Sequence, residues 1–233
     1  MVFAVIPAYN EEKNIVSVVK GLKKQVKKVI VVDDGSTDRT RQLAQRAGAT
    51  LVNIKKNQGK GNAMRLGAKK AIEMGAEAVF FLDSDGQHDP LDLRKFKDGL
   101  KDADAVFGYR AGKKPWFKKI GNGLADFGFA ILFGRRIKDV LCGYRAFKAG
   151  KIPCWRENRY FVEIEMAELA VRGGLKIKQV PVKTTYPKNV HRSLTGIGYK
   201  GMNIWHSLET VWKLLSLRIK VWFGRREVEW LKQ

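Results

Sequence analysis

Acidic residues are scarce in this chain. It carries 23 Asp and Glu against 45 Lys and Arg, a net charge of +22 over 233 residues. That imbalance suggests a polyanionic partner, either nucleic acid or an anionic membrane surface, with plain solubility as the competing explanation. Cysteine is nearly absent. Cys142 and Cys154 allow one bridge at most, which excludes a disulfide framework and favours a reducing compartment. Long apolar runs are missing too. No stretch approaches the roughly 18 uncharged apolar residues of a membrane span. Val2–Ile6 enters a strand-like run at once, without the basic stretch and longer apolar core of a signal peptide. Any membrane contact therefore comes from lying on the surface or from a partner. There is no internal repeat, no low-complexity tract and no dividing linker. An ordinary apolar fraction of 45% points to one domain, with room for an appended helix.

The first half alternates short β-branched runs with helical periodicity. Strands are expected over Val2–Ile6, Val29–Val32, Thr50–Ile54, Ala78–Leu82 and Ala105–Phe107. Between them, Glu11–Lys24 places Ile15, Val18, Val19 and Leu22 on one helical face, and Gly61–Met74 is a helix closed by Gly75. Ser36 or Thr37 is expected to cap the helix that stops near Gly48, and Asp89-Pro90 to open another. Alternating strands and helices argue for a three-layer α/β sheet. The second half is less regular. Trp116–Phe133 and Val162–Val171 read as helices, Tyr144–Phe147 as a strand, and Lys176–Tyr186 as one or two strands. Residues 204–223 set apolar side chains against basic ones, an amphipathic helix with Trp205, Trp212 and Trp222 beside Lys213, Arg218 and Lys220.

Four motifs fall just beyond strands, the edge at which open α/β sheets bind ligands. Pro7-Ala8-Tyr9-Asn10-Glu11-Glu12 offers an aromatic face and an acceptor, or simply a strand-to-helix turn. Asp33-Asp34-Gly35-Ser36-Thr37-Asp38 sets two acids at the end of an apolar strand. A carboxylate there accepts from a base or a ribose hydroxyl, and capping is the alternative. In Asp83-Ser84-Asp85-Gly86-Gln87-His88-Asp89-Pro90, the two acids alternate on a strand end and face one site. Their repulsion is relieved by a hard divalent cation, which typically takes one or two carboxylates plus phosphate oxygens. Gln87 could add a neutral oxygen, and His88 could contribute too, although as an exposed loop histidine it would more often ligate nothing. Asn57-Gln58-Gly59-Lys60-Gly61-Asn62 places glycines at a helix start, where free N–H groups can meet an anion. A Walker A spacing is absent, as is a Gly-x-Gly-x-x-Gly after the first strand.

Together these motifs resemble family 2 glycosyltransferases, and within them the dolichyl- or polyprenyl-phosphate sugar synthases. The run from Asp83 to Pro90 matches their Asp-x-Asp-x-Gln-His-x-Pro pattern. Gly108-Tyr109-Arg110 and Asp139-Val140-Leu141-Cys142-Gly143-Tyr144-Arg145 match further. The resemblance covers about residues 1–195. It implies the GT-A fold, a three-layer α/β/α sandwich around a mostly parallel mixed sheet, with residues 196–233 as a basic C-terminal helix. It also implies a nucleotide-sugar site of Pro7, Tyr9, Glu11, Asp33, Asp34, Lys60 and Asp83, closed by Arg192 and Ser193. Asp83, Asp85 and Gln87 would hold Mg²⁺ or Mn²⁺. Arg110, Lys118, Lys119 and Asn122 would meet an acceptor phosphate, with Asp85, Arg110 and Asp139 as catalytic residues. Glu163 and Glu165 match an acidic pair without an assigned role.

The implied reaction is an inverting, metal-dependent transfer of a hexose from GDP-mannose or UDP-glucose to dolichyl or polyprenyl phosphate, with mannose favoured by family frequency. An ionised phosphate needs no strong general base, which suits a sequence without a convincing base motif. Net charge then places the protein peripherally at the cytoplasmic face of a membrane, where Lys/Arg clusters gain ~1 kcal/mol each. Transfer to a sugar hydroxyl is the alternative and would require a base such as Asp139 or Glu163. A nucleic-acid module is disfavoured, since no RNA- or DNA-binding motif is present.

Overall fold

The computed structural model describes residues 1–112, 116–184, 216 and 228–231. Among these, the strands are β1 (Val2–Ala8), β2 (Lys28–Asp33), β3 (Thr50–Asn53), β4 (Ala78–Phe81), β5 (Ala105–Ala111), β6 (Arg145–Lys148) and β7 (Ile177–Lys183). They form one sheet in the order β3-β2-β1-β4-β6-β5-β7. β6 runs antiparallel to both β4 and β5, and every other pair is parallel. The helices are α1 (Ile15–Lys23), α2 (Thr40–Arg46), α3 (Lys60–Glu73), α4 (Leu93–Asp102), α5 (Trp116–Phe133) and α6 (Val162–Arg172).

Alternation along the strands builds two cores. Phe3 and Val5 of β1, with Val79 and Phe81 of β4, face α3, α5 and α6. Ala4, Ile6, Ala78 and Phe80 face α1, α2 and α4. The sheet is thus covered on both sides, which is why β2 is apolar without alternation from Val29 to Val32. The expected three-layer α/β/α sandwich with a mostly parallel mixed sheet is the fold observed. On α3, Gly67 lets the helix lie flat on the sheet, since a Cβ there would meet Val5 and stand 2.9 Å from Val32. That close approach carries Lys60, at the start of α3, to the carboxyl edge of the sheet.

Some boundaries differ from the sequence expectation. Ser36 and Thr37 do not cap α2, which begins at Thr40. Ser36 Oγ instead accepts the Asn10 N–H, and Thr37 N–H donates to Asn10 Oδ1, so both serve the turn after β1. Arg39 is the N-cap residue and makes no side-chain cap, while Asp38 just before it accepts the Thr40 N–H at 2.9 Å. Asp89-Pro90 opens a short 3₁₀ turn, Pro90–Asp92, ahead of α4, with Asp89 accepting the Leu91 N–H. The last described residues return to the sheet's far end. Cys154 N–H donates to Glu229 O, and Leu231 N–H to Ile152 O. Of the amphipathic stretch 204–223, only Ser216 is described, and it is helical; the rest lies outside the described residues. No described helix is long and apolar enough to cross a membrane.

Candidate active site

Strand order reverses at β1, which has β2 on one side and β4 on the other. A crevice opens at the carboxyl edge of such a reversal. Here it is a cavity of about 520 Å³. The end of β1 supplies Pro7, Tyr9 and Glu11, and the end of β2 supplies Asp34. The start of α3 supplies Lys60, the end of β4 supplies Asp83, Ser84 and Asp85, and the turn before α6 supplies Arg159 and Tyr160.

Charge organises the floor of this cavity. Lys60 Nζ lies 2.5 Å from Asp83 Oδ1 and 2.5 Å from Glu163 Oε1. Burial alone would lower the lysine pKa, but the two carboxylates outweigh it and hold Lys60 firmly protonated. Burial opposes ionisation of Asp83, but Lys60, His88 and Arg110 overcome it and keep its pKa below the usual value. Asp85 goes the other way. Burial and then the Asp83 charge push it up to about 6. Glu11 is also raised, by burial first. Asp83 rests against Gly143, where a Cβ would stand 2.5 Å from Asp83 Oδ2. The glycine of Cys142-Gly143-Tyr144 is therefore a seat for this carboxylate.

Beside the cavity, Arg110 near the end of β5 is locked to Asp139. Its Nε and Nη2 donate to Asp139 Oδ2 and Oδ1 at 2.8 and 2.6 Å, and its backbone N–H donates to Oδ2 at 2.8 Å. Asn122 on α5 donates to the same carboxylate at 2.9 Å. Asp139 itself has a φ of 55°, in the left-handed region that disfavours a side chain. Asp126 holds it there by accepting the N–H groups of Asp139 and Val140 at 2.7 and 2.9 Å. Arg110, Asn122 and Asp139 are thus brought together, one charged cluster away from Asp83.

Other expected residues are placed differently. Asp33 is buried and lines a neighbouring hollow with Ser36, Thr37 and Lys55. Asp34 does line the cavity, but its two oxygens accept the N–H groups of Gln58 and Gly59, both at 2.8 Å. Gln87 meets Asp85 through its backbone N–H, at 2.9 Å. The side chains of Lys118 and Lys119, and all of Arg192 and Ser193, lie outside the described residues.

Two expectations are corrected. His88 is not an exposed loop histidine: it is 7% exposed and its ring lies 5.6 Å from that of Tyr144. Burial lowers its pKa despite the nearby Asp83 carboxylate. The glycine motif does not present free N–H groups either. Gln58 and Gly59 donate to Asp34, while Gly61 and Asn62 donate to the Asn158 carbonyl at 2.8 and 3.3 Å. The acidic pair acquires distinct roles. Glu163 is the second partner of Lys60, and Glu165 accepts the N–H groups of Arg156 and Glu157. Sequence reading missed Arg159 and Tyr160, whose segment carries no motif, and the reason for Gly143, which lies in a partner distant in sequence.

The Glycosyl transferase family 2 profile matches residues 3–150. The chain belongs to glycosyltransferase family 2. This glycosyltransferase is 30% identical over 249 residues to the UDP-N-acetylglucosamine–dolichyl-phosphate N-acetylglucosaminyltransferase of Methanococcus voltae, covering 94% of this chain and 96% of that one. It is 27% identical over 199 residues to the undecaprenyl-phosphate mannosyltransferase of Micrococcus luteus, covering 78% and 82%. Among solved structures, it is similar in fold to the glucosyl-3-phosphoglycerate synthase of Mycobacterium tuberculosis in complex with Mn²⁺, UDP-glucose and phosphoglyceric acid. There the TM-score is 0.72 at 22% identity, over 100% of this chain and 87% of that one.

Proposed function

We propose that this family 2 glycosyltransferase moves a sugar from a nucleoside-diphosphate donor to a polyprenyl or dolichyl phosphate, at the cytoplasmic face of a membrane. One observation carries the choice of acceptor: Asp139 and Glu163, the two carboxylates considered above as a base for a sugar hydroxyl, are already engaged. Asp139 is clamped by Arg110 and Asn122, and Glu163 by Lys60. An acceptor phosphate needs no such base, because it is ionised near neutral pH. It does need cations to overcome its repulsion from the donor diphosphate, and Arg110 stands beside the Asp83 cluster for that purpose.

The donor would lie along the β1–β4 crevice, with Tyr9 and Pro7 beside the nucleoside and Lys60 at the diphosphate. A divalent cation fits this site. Asp83 and Asp85 supply hard oxygens, and the pKa of Asp85 is raised first by burial and then by the Asp83 charge, both of which a bound cation would offset. Mg²⁺ or Mn²⁺ held there would stabilise the charge developing on the leaving group. The acceptor phosphate oxygen attacks the anomeric carbon as the bond to the nucleoside diphosphate breaks. A single displacement inverts that carbon.

Two of the relatives named above carry N-acetylglucosamine and mannose in their names. We take mannose from GDP-mannose as the first donor to test, followed by UDP-glucose and UDP-N-acetylglucosamine. The test is a screen of these donors with a short polyprenyl phosphate, with and without Mg²⁺ or Mn²⁺, reading the nucleoside diphosphate released. Metal-dependent release that requires the lipid phosphate is expected. Release driven equally by a free sugar, with the lipid phosphate inert, would overturn the acceptor assignment.

A further inference from the structure

The turn at residues 155–160 is held far more tightly than an exposed turn needs to be. Arg156, Asn158, Arg159 and Tyr160 are all exposed, yet almost every anchor around them is made. Glu165, on the first turn of α6, accepts the Arg156 N–H at 3.0 Å and the Glu157 N–H at 2.6 Å. The Asn158 carbonyl accepts from Gly61 and Asn62 at the start of α3. Arg65 on α3 donates to Asn158 Oδ1 at 2.9 Å and to the Trp155 carbonyl at 3.2 Å. Trp155 Nε1 donates to the Gly61 carbonyl at 2.8 Å.

The glycines of Gly59-Lys60-Gly61 complete the seat. A Cβ on Gly61 would collide with the Glu157 carbonyl oxygen, and one on Gly59 with that of Asn158. Gly59 also has a φ of 101°, which favours glycine independently. Gly61 has no such backbone demand, so its bare Cα answers only to the turn above it. What these anchors hold in place is a pair of residues, Arg159 and Tyr160, that line the cavity together with Asp85 and Tyr9. Tyr160 lines the same cavity as Lys60 and Asp83.

We propose that residues 156–160 form a strap across the donor site, in which Arg159 and Tyr160 contact the sugar-diphosphate part of the donor and Glu165 is the positioning residue. The proposal rests on the nucleotide-sugar reading above. Arg159 brings a guanidinium for phosphate or sugar hydroxyl oxygens, and Tyr160 a flat ring for the sugar face. Glu165 acts through the strap and touches no substrate. The strap is also a second layer of sugar selection, because its two side chains meet the part of the donor that differs between hexoses.

The test uses the full chain, the best donor from the screen and a short polyprenyl phosphate, with KM for each substrate and kcat measured separately. Arg159→Ala and Glu165→Ala are each expected to raise donor KM about tenfold while leaving KM for the lipid phosphate unchanged. Glu165→Gln keeps one acceptor oxygen and should fall between wild type and Glu165→Ala. Gly61→Ala is the sharper variant. The added methyl must push the Glu157 carbonyl aside, so a lower Tm is expected whether or not the turn binds donor, and donor KM is the deciding readout. A turn without a role in binding predicts wild-type donor KM in the folded variant, and the strap predicts a raised one. Should Glu165→Ala fail to fold, Gly61→Ala and Arg159→Ala decide. Folded, active variants with wild-type donor KM would overturn the strap alone. A wild-type enzyme that turns over no nucleotide sugar would overturn the functional reading instead.

Discussion

Asp139 gathers four donors on one carboxylate: the Arg110 backbone, two Arg110 side-chain nitrogens and Asn122. Replacing it with Asn keeps its size but loses the charge and half the fork, so the guanidinium is no longer aimed. We expect Asp139→Asn to lower kcat/KM for the lipid phosphate by about 10²-fold, with donor KM little changed. Steady-state kinetics with each substrate varied in turn checks this. At this scale the sequence is partly legible. Asp83 and Asp85 declare themselves as paired acids just beyond a strand, although β4 ends at Phe81 and Asp85 lies in the following turn, and Lys60 declares itself by its glycines. The reason for those glycines is not legible, because Gly61 answers to Glu157 and Gly143 to Asp83, partners distant in the chain. Asp139 is visible as a motif residue, but its employment as a holder of Arg110 depends on β5 lying near the turn that contains it.

The elements follow periodicity where burial is simple. β2 reads as a strand because both faces are covered, and α1 as a helix because Ile15, Val18, Val19 and Leu22 share one side. Strand order does not follow from periodicity, since an apolar run pairs as readily one way as the other. β6 shows what decides it. Arg145 at its start is 1% exposed and donates to the carbonyls of Val140, Cys142 and Glu163, tying the β6 approach to α6. Its ring neighbour is Phe107 of β5, 4.4 Å from the guanidinium carbon. Burial pushes its pKa down to about 10, still well above neutrality. Arg145→Leu would take the guanidinium donors away from three carbonyls in buried residues. We expect it to cost about 3–5 kcal/mol, read as a shifted urea midpoint.

At the scale of the whole molecule, stability should depend on pH through Glu168. This α6 residue is 2% exposed, and burial raises its pKa to about 7 from an ordinary 4.5, although Arg172 lies 3.2 Å away. Between those values the folded protein binds more protons at this site than the unfolded chain does. Stability therefore falls as pH rises from about 4.5 to 7, then levels off. Glu168→Gln should remove this fall, gaining about 2–3 kcal/mol over wild type at pH 8 and little at pH 4.5. Thermal melts across that range would show it. A variant that tracks wild type at every pH would count against the assignment.

The position of β6 has a consequence for synthesis. The strands from β1 to β4 assemble from the first 81 residues, but the open edge of β4 is not covered until residues 145–148 arrive antiparallel beside it. If β1 to β4 pair during synthesis, they would present an uncovered β4 edge until more than sixty further residues have been made. Such an edge is a template for pairing with other chains. Truncations that end before β6 should aggregate rather than yield a smaller folded unit, and the basic surface of the nascent chain would be what keeps neighbouring copies apart in the interval.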